Sequence, residues 1–187
     1  MSVESIKRNN TWAFVDHVSL NITGRVLDVG CGAKPYKRLF PECDWVGLDA
    51  RPVGDVQAEM TDIPFDAGDF DTVVCTDALG YVLDPYKAMA EMVRVLKPGG
   101  HLLVICDLLI DEGVAGYAPD YLGTLATALG CNVIRCEPFG KAFTQWTDDF
   151  FSVAQAPVLP QDLKNLTATL DARYPQISCL LAVKEDA

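Results

Sequence analysis

The sequence predicts an α/β protein in which a mostly parallel sheet carries helices on both faces. Strand-sized apolar runs alternate with helical patterns along most of the 187 residues. Parallel neighbours need a crossover connection, usually a helix, so this alternation is typical of a parallel sheet. Apolar residues make up 50% of the chain and charged residues 22%, as in ordinary globular proteins. The length favours a single domain over residues 1–187.

Strands are predicted where a short apolar run is bounded by polar or turn-forming residues. They are expected at residues 25–30, 45–49, 56–58, 70–76, 101–106, 131–137 and 177–183. Helices are expected at residues 3–20, 35–40, 84–97, 119–129 and 163–170. Residues 1–23 are interpreted as an N-terminal helical cover, and the less regular residues 138–176 as a variable cover segment.

Two of these helices have distinct terminal signals. Asp84 followed by Pro85 is typical of a helix start, and Lys97-Pro98-Gly99-Gly100 is typical of a helix end followed by a turn. Pro35 also predicts a helix start, because its fixed φ suits the first helical turn. Gly130 predicts the end of the helix before it.

The net charge of −11 disfavours nucleic acid as a partner. A polyanion is repelled by an acidic surface unless a basic patch intervenes. The densest cationic clusters are Lys7-Arg8 and Lys34/Lys37/Arg38, and neither amounts to a patch. A small molecule is therefore the expected partner.

The seven cysteines favour free thiols in a reducing, cytoplasmic setting. Their number is odd, no Cys-x-x-Cys pair occurs, and most lie in strand-like apolar runs. The paired spacings of a zinc site are lacking, so no metal is expected. Residues 1–11 are too polar for a secretory signal, and apolar runs such as Leu102–Cys106 are too short to span a bilayer.

The strongest local signal is the loop Asp28-Val29-Gly30-Cys31-Gly32, which follows a buried strand. Two glycines let the backbone approach a ligand closely. In such sheets, ligands bind beyond the carboxyl ends of the strands. Asp49 ends the next strand, where an acid can accept hydrogen bonds from both ribose hydroxyls. A dinucleotide fingerprint would have its third glycine where Pro35 stands, which argues against a nicotinamide cofactor.

Four ordered motifs extend this signal: GRVLDVGCG (24–32), WVGLD (45–49), DIPFDAGDFDTVVCTDAL (62–79) and RVLKPGGHLLV (94–104). Together they resemble class I SAM-dependent methyltransferases of the methyltransferase type 11 group. The resemblance implies a Rossmann-like three-layer sandwich. Its seven-stranded, mostly parallel sheet has the order 3-2-1-4-5-7-6, with the strand last in sequence antiparallel.

The same resemblance implies S-adenosyl-L-methionine (SAM) as cofactor. Asp28, Gly30 and Gly32 would line its methionine part, and Asp49 would hold the ribose. Asp62 would accept from the adenine amino group, with the Ile63 backbone beside the ring. Thr76 and Asp77 would lie near the sulfonium and the acceptor. The full expected cofactor-binding set is Asp28, Gly30, Cys31, Gly32, Asp49, Ala50, Asp62, Ile63, Thr76 and Asp77.

The catalytic side is less marked. Many relatives carry Glu-His just after the fourth strand, where this chain has Gly80-Tyr81. The two histidines offer little, because His101 lies at a strand's amino end and a lone helical His17 is more often a surface residue. The candidates for moving a proton are Asp77, Tyr81, Asp107 and Asp111. Methyl transfer chiefly requires alignment of the acceptor with the methyl group, so a base is not obligatory.

Substrate choice is expected from residues 107–121, with Tyr117 and Tyr121, and from the cover segments. Aromatic residues at 139–151 are interpreted as core or a homodimer face, with a substrate lid as the alternative. The leading functional hypothesis is methyl transfer to a small molecule. The alternatives are a SAM-binding partner or regulatory domain without turnover, a nicotinamide-dependent oxidoreductase, and transfer of another SAM-derived group.

Overall fold

The computed structural model describes residues 11–12, 14–16, 18–19, 22–107, 115–139 and 177–185, with the backbone alone for 107, 137–139 and 177–178. Seven strands form one sheet: β1 (Gly24–Val29), β2 (Cys43–Asp49), β3 (Val56–Gln57), β4 (Phe70–Thr76), β5 (Leu96–Asp107), β6 (Cys131–Phe139) and β7 (Ile177–Lys184). Their order is β3-β2-β1-β4-β5-β7-β6. The expected strand order is confirmed.

The strands run in one direction until the last one, which reverses. β1 pairs in parallel with β2 and β4, β2 with β3, and β4 with β5. β7 is antiparallel to both of its neighbours, β5 and β6. The predicted antiparallel orientation of the strand last in sequence is thus confirmed. The carboxyl ends of β1, β2 and β4 therefore meet at one edge of the sheet.

Two α-helices are bounded within the described residues, α1 (Pro85–Val95) and α2 (Pro119–Ala128). Asp84 caps α1 as predicted, because its side chain accepts a hydrogen bond from the Lys87 N–H at 2.9 Å. α1 buries Ala88, Met89, Met92, Val93 and Val95 against the sheet. The described residues between 11 and 19 are also helical.

The end of α1 and the link between β1 and β2 differ from the prediction. α1 ends at Val95, and residues 96–100 already belong to β5, joined to β4 through an irregular register between Phe70 and Thr72. The predicted helix at 35–40 is wrong: a single 3₁₀ turn, Lys37–Leu39, is present. Tyr36 and Phe40 on either side of that turn are buried in the core, so the short link packs inward instead of extending as a helix.

The core consists of two apolar clusters, one on each face of the sheet. Val73 belongs to the cluster beneath α1 and Val74, its neighbour in β4, to the other cluster. This alternation is the period of two that a strand buried on both faces must have. Phe14 and Val15 of the N-terminal helical residues join the second cluster. Helices thus cover both faces, as a three-layer sandwich requires.

The structure also bears on the expectation of free thiols and on the search for membrane-spanning segments. All seven cysteines are free thiols, and five of them are buried. Among the described residues, no helix combines the length and the hydrophobicity needed to cross a membrane.

Candidate functional site

The loop after β1 is fixed to the end of β2. The backbone N–H groups of Gly30 and Cys31 both donate to the carbonyl of Leu48, at 2.8 and 3.0 Å. Gly30 has a φ of +74° and Gly32 a φ of +49°, which glycine adopts without steric cost. The Gly32 N–H donates to Asp49 Oδ2 at 2.9 Å. The glycine loop and the acid that ends β2 are therefore joined by a direct hydrogen bond.

Asp49 accepts further hydrogen bonds from Arg51. The Arg51 N–H and Nε donate to Asp49 Oδ1 at 2.9 and 3.0 Å, and Arg51 Nη2 lies 3.3 Å from Oδ2. The Arg51 side-chain hydrogen bonds, together with the backbone N–H groups of Arg51 and Gly32, hold the pKa of Asp49 below its usual value. Asp49 is therefore a buried, ionised and fully engaged carboxylate at neutral pH.

Asp28 is the opposite case. Its side chain is 1% exposed, and neither carboxylate oxygen has a hydrogen-bond donor among the described residues. Burial, together with the nearby negative charge of Asp49, raises the pKa of Asp28 to about 7, while Lys34 acts in the opposite direction. A buried carboxylate without a donor is costly, and a cationic ligand would relieve that cost.

Lys34 links the glycine loop to Asp55, which lies in the loop after β2. Its φ is +54°, an uncommon value for a residue with a side chain. Its ammonium group pairs with Asp55, which also accepts the Gly47 N–H at 2.8 Å. A Cβ on Gly47 would stand 2.8 Å from both Lys34 Cε and Cys31 Sγ, so glycine at this position lets these two side chains pack closely against β2.

Cys31 forms part of the wall of the loop. Its side chain is buried, and burial together with the charges of Asp28 and Asp49 raises the pKa of its thiol to about 11. The thiol is thus protonated at neutral pH and is not a nucleophile. Ala50, another residue expected to bind the cofactor, accepts a hydrogen bond from Gln57 Nε2 at 3.0 Å through its carbonyl.

The segment expected beside the adenine is held by α1. Arg94 donates from Nη1 to the Phe65 carbonyl and from Nη2 to the Ile63 carbonyl, both at 2.8 Å. The Ile63 N–H donates to Glu91 Oε2 at 2.9 Å. This N–H already has an acceptor within the chain, whereas the Asp62 side chain is exposed beside it.

The expected acceptor side lies after β4. Thr76 is buried at the end of β4, and Asp77 has a φ of +54° with its N–H donating to the Ile105 carbonyl at 2.8 Å. Tyr81, in the short 3₁₀ turn Leu79–Tyr81, is 70% exposed. Asp107 ends β5 at the same edge of the sheet, with its backbone alone described. His101 pairs with Thr72 before that edge, but it lies within β5 and not at the amino end of the strand, which begins at Leu96.

The described part of residues 107–121, the segment expected to govern substrate choice, approaches this side. The Ala115 N–H donates to the Gly80 carbonyl at 2.9 Å. Tyr117 and Tyr121 stack with ring centroids 5.5 Å apart, and Tyr121 is exposed. His17, Asp111 and the expected lid and aromatic residues within 140–176 lie outside the described residues, and their predictions stand as stated.

Arg51, Glu91 and Ala78 escaped the sequence reasoning; the Cβ of Ala78 lies 2.3 Å from the position that a Cβ on Gly30 would take. Arg51 follows Asp49 by two residues. An aspartate side chain that accepts from the backbone N–H two residues later forms an Asx turn, which is a recognisable turn signal. Glu91 and Ala78 act through contacts that no local spacing reveals. Within the described part of the chain, no group of three or more His, Cys, Asp or Glu side chains is placed to hold a metal ion.

Residues 27–104 match the family described as "Methyltransferase domain". The demethylmenaquinone methyltransferase of Mycolicibacterium gilvum is 31% identical over 167 residues, which cover 79% of this chain and 73% of that protein. The chain belongs to the class I SAM-dependent methyltransferases. The family resemblance of the four motifs, and with it the expected cofactor class, is confirmed.

Other relatives match over a smaller part of their length. A demethylmenaquinone methyltransferase of Clavibacter sepedonicus is 33% identical over 50% of this chain and 40% of its own length. A phthiotriol/phenolphthiotriol dimycocerosates methyltransferase of Mycobacterium leprae is 29% identical over 63% of this chain and 50% of its own length. The chain thus spans half or less of these two relatives.

Solved structures share the fold at low sequence identity. The [4+2]-cyclase SpnF has a TM-score of 0.69 at 19% identity, covering 97% of this methyltransferase-family chain and 82% of its own. A SAM-dependent methyltransferase from Mesorhizobium loti has a TM-score of 0.67 at 18% identity, covering 94% and 98%. At such identities the likeness establishes the fold alone.

Proposed function

We propose that this protein binds SAM and transfers its methyl group to a small-molecule acceptor. The observation that carries the proposal is the buried Asp28 carboxylate, which lacks a donor among the described residues and lies beside the glycine loop. The α-ammonium group of a methionine moiety supplies the cation that such a carboxylate needs. Membership of the methyltransferase family supports the same interpretation.

The other residues fit the rest of the cofactor. Gly30 and Gly32 contribute no side chain to the loop beside Asp28. Asp49 accepts from the ribose hydroxyls, and Asp62 faces solvent where it can accept from an adenine amino group. When bound, SAM supplies an electrophilic methyl group on a sulfonium. The chain's own task is to hold that group and the acceptor in line.

Proton removal falls to the residues after β4 and β5. Thr76 and Asp77 are positioned at the end of β4, and Tyr81 and Asp107 lie at the same edge of the sheet. A positioned base contributes about 10²–10⁴-fold when the acceptor is a hydroxyl. For an acceptor that needs no deprotonation, alignment between Asp77 and Tyr81 is the main contribution.

The acceptor we propose to test first is an aromatic, quinone-type small molecule. Several relatives are named demethylmenaquinone methyltransferases, including the one matched over 73% of its length. Tyr81 and Tyr121 are both exposed. Exposed aromatic rings suit a flat apolar acceptor. A soluble demethylated naphthoquinol is therefore the first compound for an acceptor screen.

Calorimetric titration with SAM, with its demethylated product S-adenosylhomocysteine (SAH) and with NAD tests the cofactor. We expect SAM and SAH to bind in the micromolar range and NAD not to bind. Asp49→Ala should abolish binding. Asp44→Ala is the matched control, because Asp44 lies on the same strand at its opposite, exposed end. Binding of NAD in place of SAM would contradict the proposal.

Formation of SAH in the presence of acceptor tests turnover. Binding without turnover by any acceptor would favour the alternative of a SAM-binding partner or regulatory domain. Methylated product identified by mass increase would exclude that alternative. Retention of SAH formation in Tyr81→Phe would assign the proton to another group or to none.

A further inference from the structure

Asp49, the acid proposed to bind the ribose hydroxyls, already accepts hydrogen bonds from within the chain at both of its carboxylate oxygens. An ionised carboxylate offers about four lone-pair sites. On Asp49, the Arg51 N–H and Nε take Oδ1, while the Gly32 N–H and Arg51 Nη2 take Oδ2. The ribose hydroxyls of a nucleoside therefore cannot bond to Asp49 until donors leave.

Only two of the four donors can leave without unfolding the loop. The Gly32 and Arg51 N–H groups belong to the backbone that shapes the site. Nε and Nη2 are on a side chain that is 70% exposed and ends in solvent. The Arg51 Nη2 also lies 3.8 Å from the position of a Cβ built on Gly32, so the guanidinium covers the glycine loop.

We propose that Arg51 determines cofactor affinity by occupying the ribose-hydroxyl position on Asp49, from which the nucleoside must displace it. This inference rests on the proposed function. The Gly32 and Arg51 N–H groups keep the Asp49 carboxylate oriented once the guanidinium has left, so displacement breaks an ion pair whose arginine side is exposed and leaves the site intact. Solvent around the guanidinium weakens its attraction to Asp49, so the cost to cofactor affinity is small but measurable.

Removing the guanidinium should therefore tighten binding. In Arg51→Met, both backbone donors to Asp49 remain and the two side-chain donors are lost. We expect SAM and SAH to bind about two- to fivefold more tightly than to the unmodified protein. Arg51→Lys keeps the charge but loses the bidentate contact with Asp49. Its affinity for SAM and SAH should lie between those of the unmodified protein and Arg51→Met.

A general charge effect predicts a different pattern. SAM carries a sulfonium and SAH does not, so loss of a repelling cation would favour SAM over SAH. Displacement from Asp49 favours both equally, because both carry the same ribose. The 2′,3′-dideoxy analogue of SAH cannot compete for Asp49, and its affinity should stay unchanged in Arg51→Met. Lys37→Met is the matched control, since it removes an exposed cation from the neighbouring link between β1 and β2, and no hydrogen bond joins Lys37 to Asp49 among the described residues.

The experiment is calorimetric titration of the full chain and its Arg51→Met, Arg51→Lys and Lys37→Met variants with SAM, SAH and the dideoxy analogue. Equal tightening of SAM and SAH in Arg51→Met, a smaller tightening in Arg51→Lys, and no change in Lys37→Met or for the dideoxy analogue support the inference. Unchanged or weaker binding, or tightening of SAM only, overturns it while leaving the proposed function standing. No binding of SAM or SAH to any form overturns the proposed function itself.

Discussion

Gly30 and Ala78 touch across the site, since a Cβ built on Gly30 would stand 2.3 Å from the Cβ of Ala78. Gly30 follows β1 and Ala78 follows β4. The two loops that border the proposed cofactor are thus in close contact at Gly30 and Ala78. No rearrangement of a flexible side chain can relieve a contact between two Cβ atoms.

Gly30→Ala should destabilise the protein and weaken SAH binding. The added methyl group clashes with Ala78, and the φ of +74° is strained for any residue with a Cβ. Overpacking and left-handed strain together cost about 2–4 kcal/mol in the free energy of unfolding. Urea denaturation measures that loss, and calorimetry measures the affinity for SAH.

Gly68→Ala separates the two causes. Gly68 has a φ of +76°, and no atom of the described residues beyond its two chain neighbours lies within 4 Å of the position that a Cβ would take there. It should lose about 1 kcal/mol from backbone strain alone. Adding Ala78→Gly to Gly30→Ala should restore the part of the loss that the clash causes. Equal losses in Gly30→Ala and Gly68→Ala would show that the contact with Ala78 is unimportant.

Asp28→Asn should change how stability depends on pH. The pKa of Asp28 is raised to about 7 in the folded protein, so the folded state binds the proton more tightly than the unfolded chain. That contribution is complete below the unfolded pKa of 3.8 and is lost as the pH rises through about 7. The unmodified protein should therefore lose about 2–3 kcal/mol relative to Asp28→Asn between pH 5 and pH 8.

Urea denaturation of both proteins at these two pH values measures the difference. Asp66→Asn, an exposed acid in a loop, should show the same pH dependence as the unmodified protein. A constant difference between Asp28→Asn and the unmodified protein across this range would mean that Asp28 is ionised throughout.

Lys34→Gly should be more stable than Lys34→Ala. Both variants lose the pairing with Asp55, but only glycine adopts the φ of +54° without strain. The expected difference is about 1 kcal/mol in the free energy of unfolding by urea. At the neighbouring Lys37, which lies in a helical turn, alanine should be the more stable of the two substitutions. The same order at both positions would contradict the left-handed conformation at Lys34.

Arg94→Met should loosen the segment that α1 holds. The guanidinium bonds to the carbonyls of Ile63 and Phe65 and to Glu91. Its loss should cost about 2 kcal/mol and speed hydrogen exchange at the Ile63 amide. Lys87→Met, an exposed cation on the same helix, should change neither. Unaltered exchange at Ile63 would show that Glu91 alone holds the segment.

Sequence reasoning reached the strands better than the links between them. Buried strands have continuous apolar runs, so β1, β4 and β5 are visible without a structure. A helix at 35–40 is the wrong prediction for its link, because one turn is enough to bury Tyr36 and Phe40. The predicted acids Asp28 and Asp49 are in place, but their opposite pKa shifts depend on donors that only folding brings together.

The reversed β7 has a consequence for how the chain is made. β7 lies between β5 and β6, and it pairs with His101–Asp107 of β5 and with β6 from Cys131 to Phe139. Until residues 177–184 leave the ribosome, both of those strands present unpaired backbone groups, the kind of edge from which aggregation starts. The nascent protein thus completes its sheet only when β7 arrives, and any pause in translation before that strand prolongs the most aggregation-prone stage of its folding.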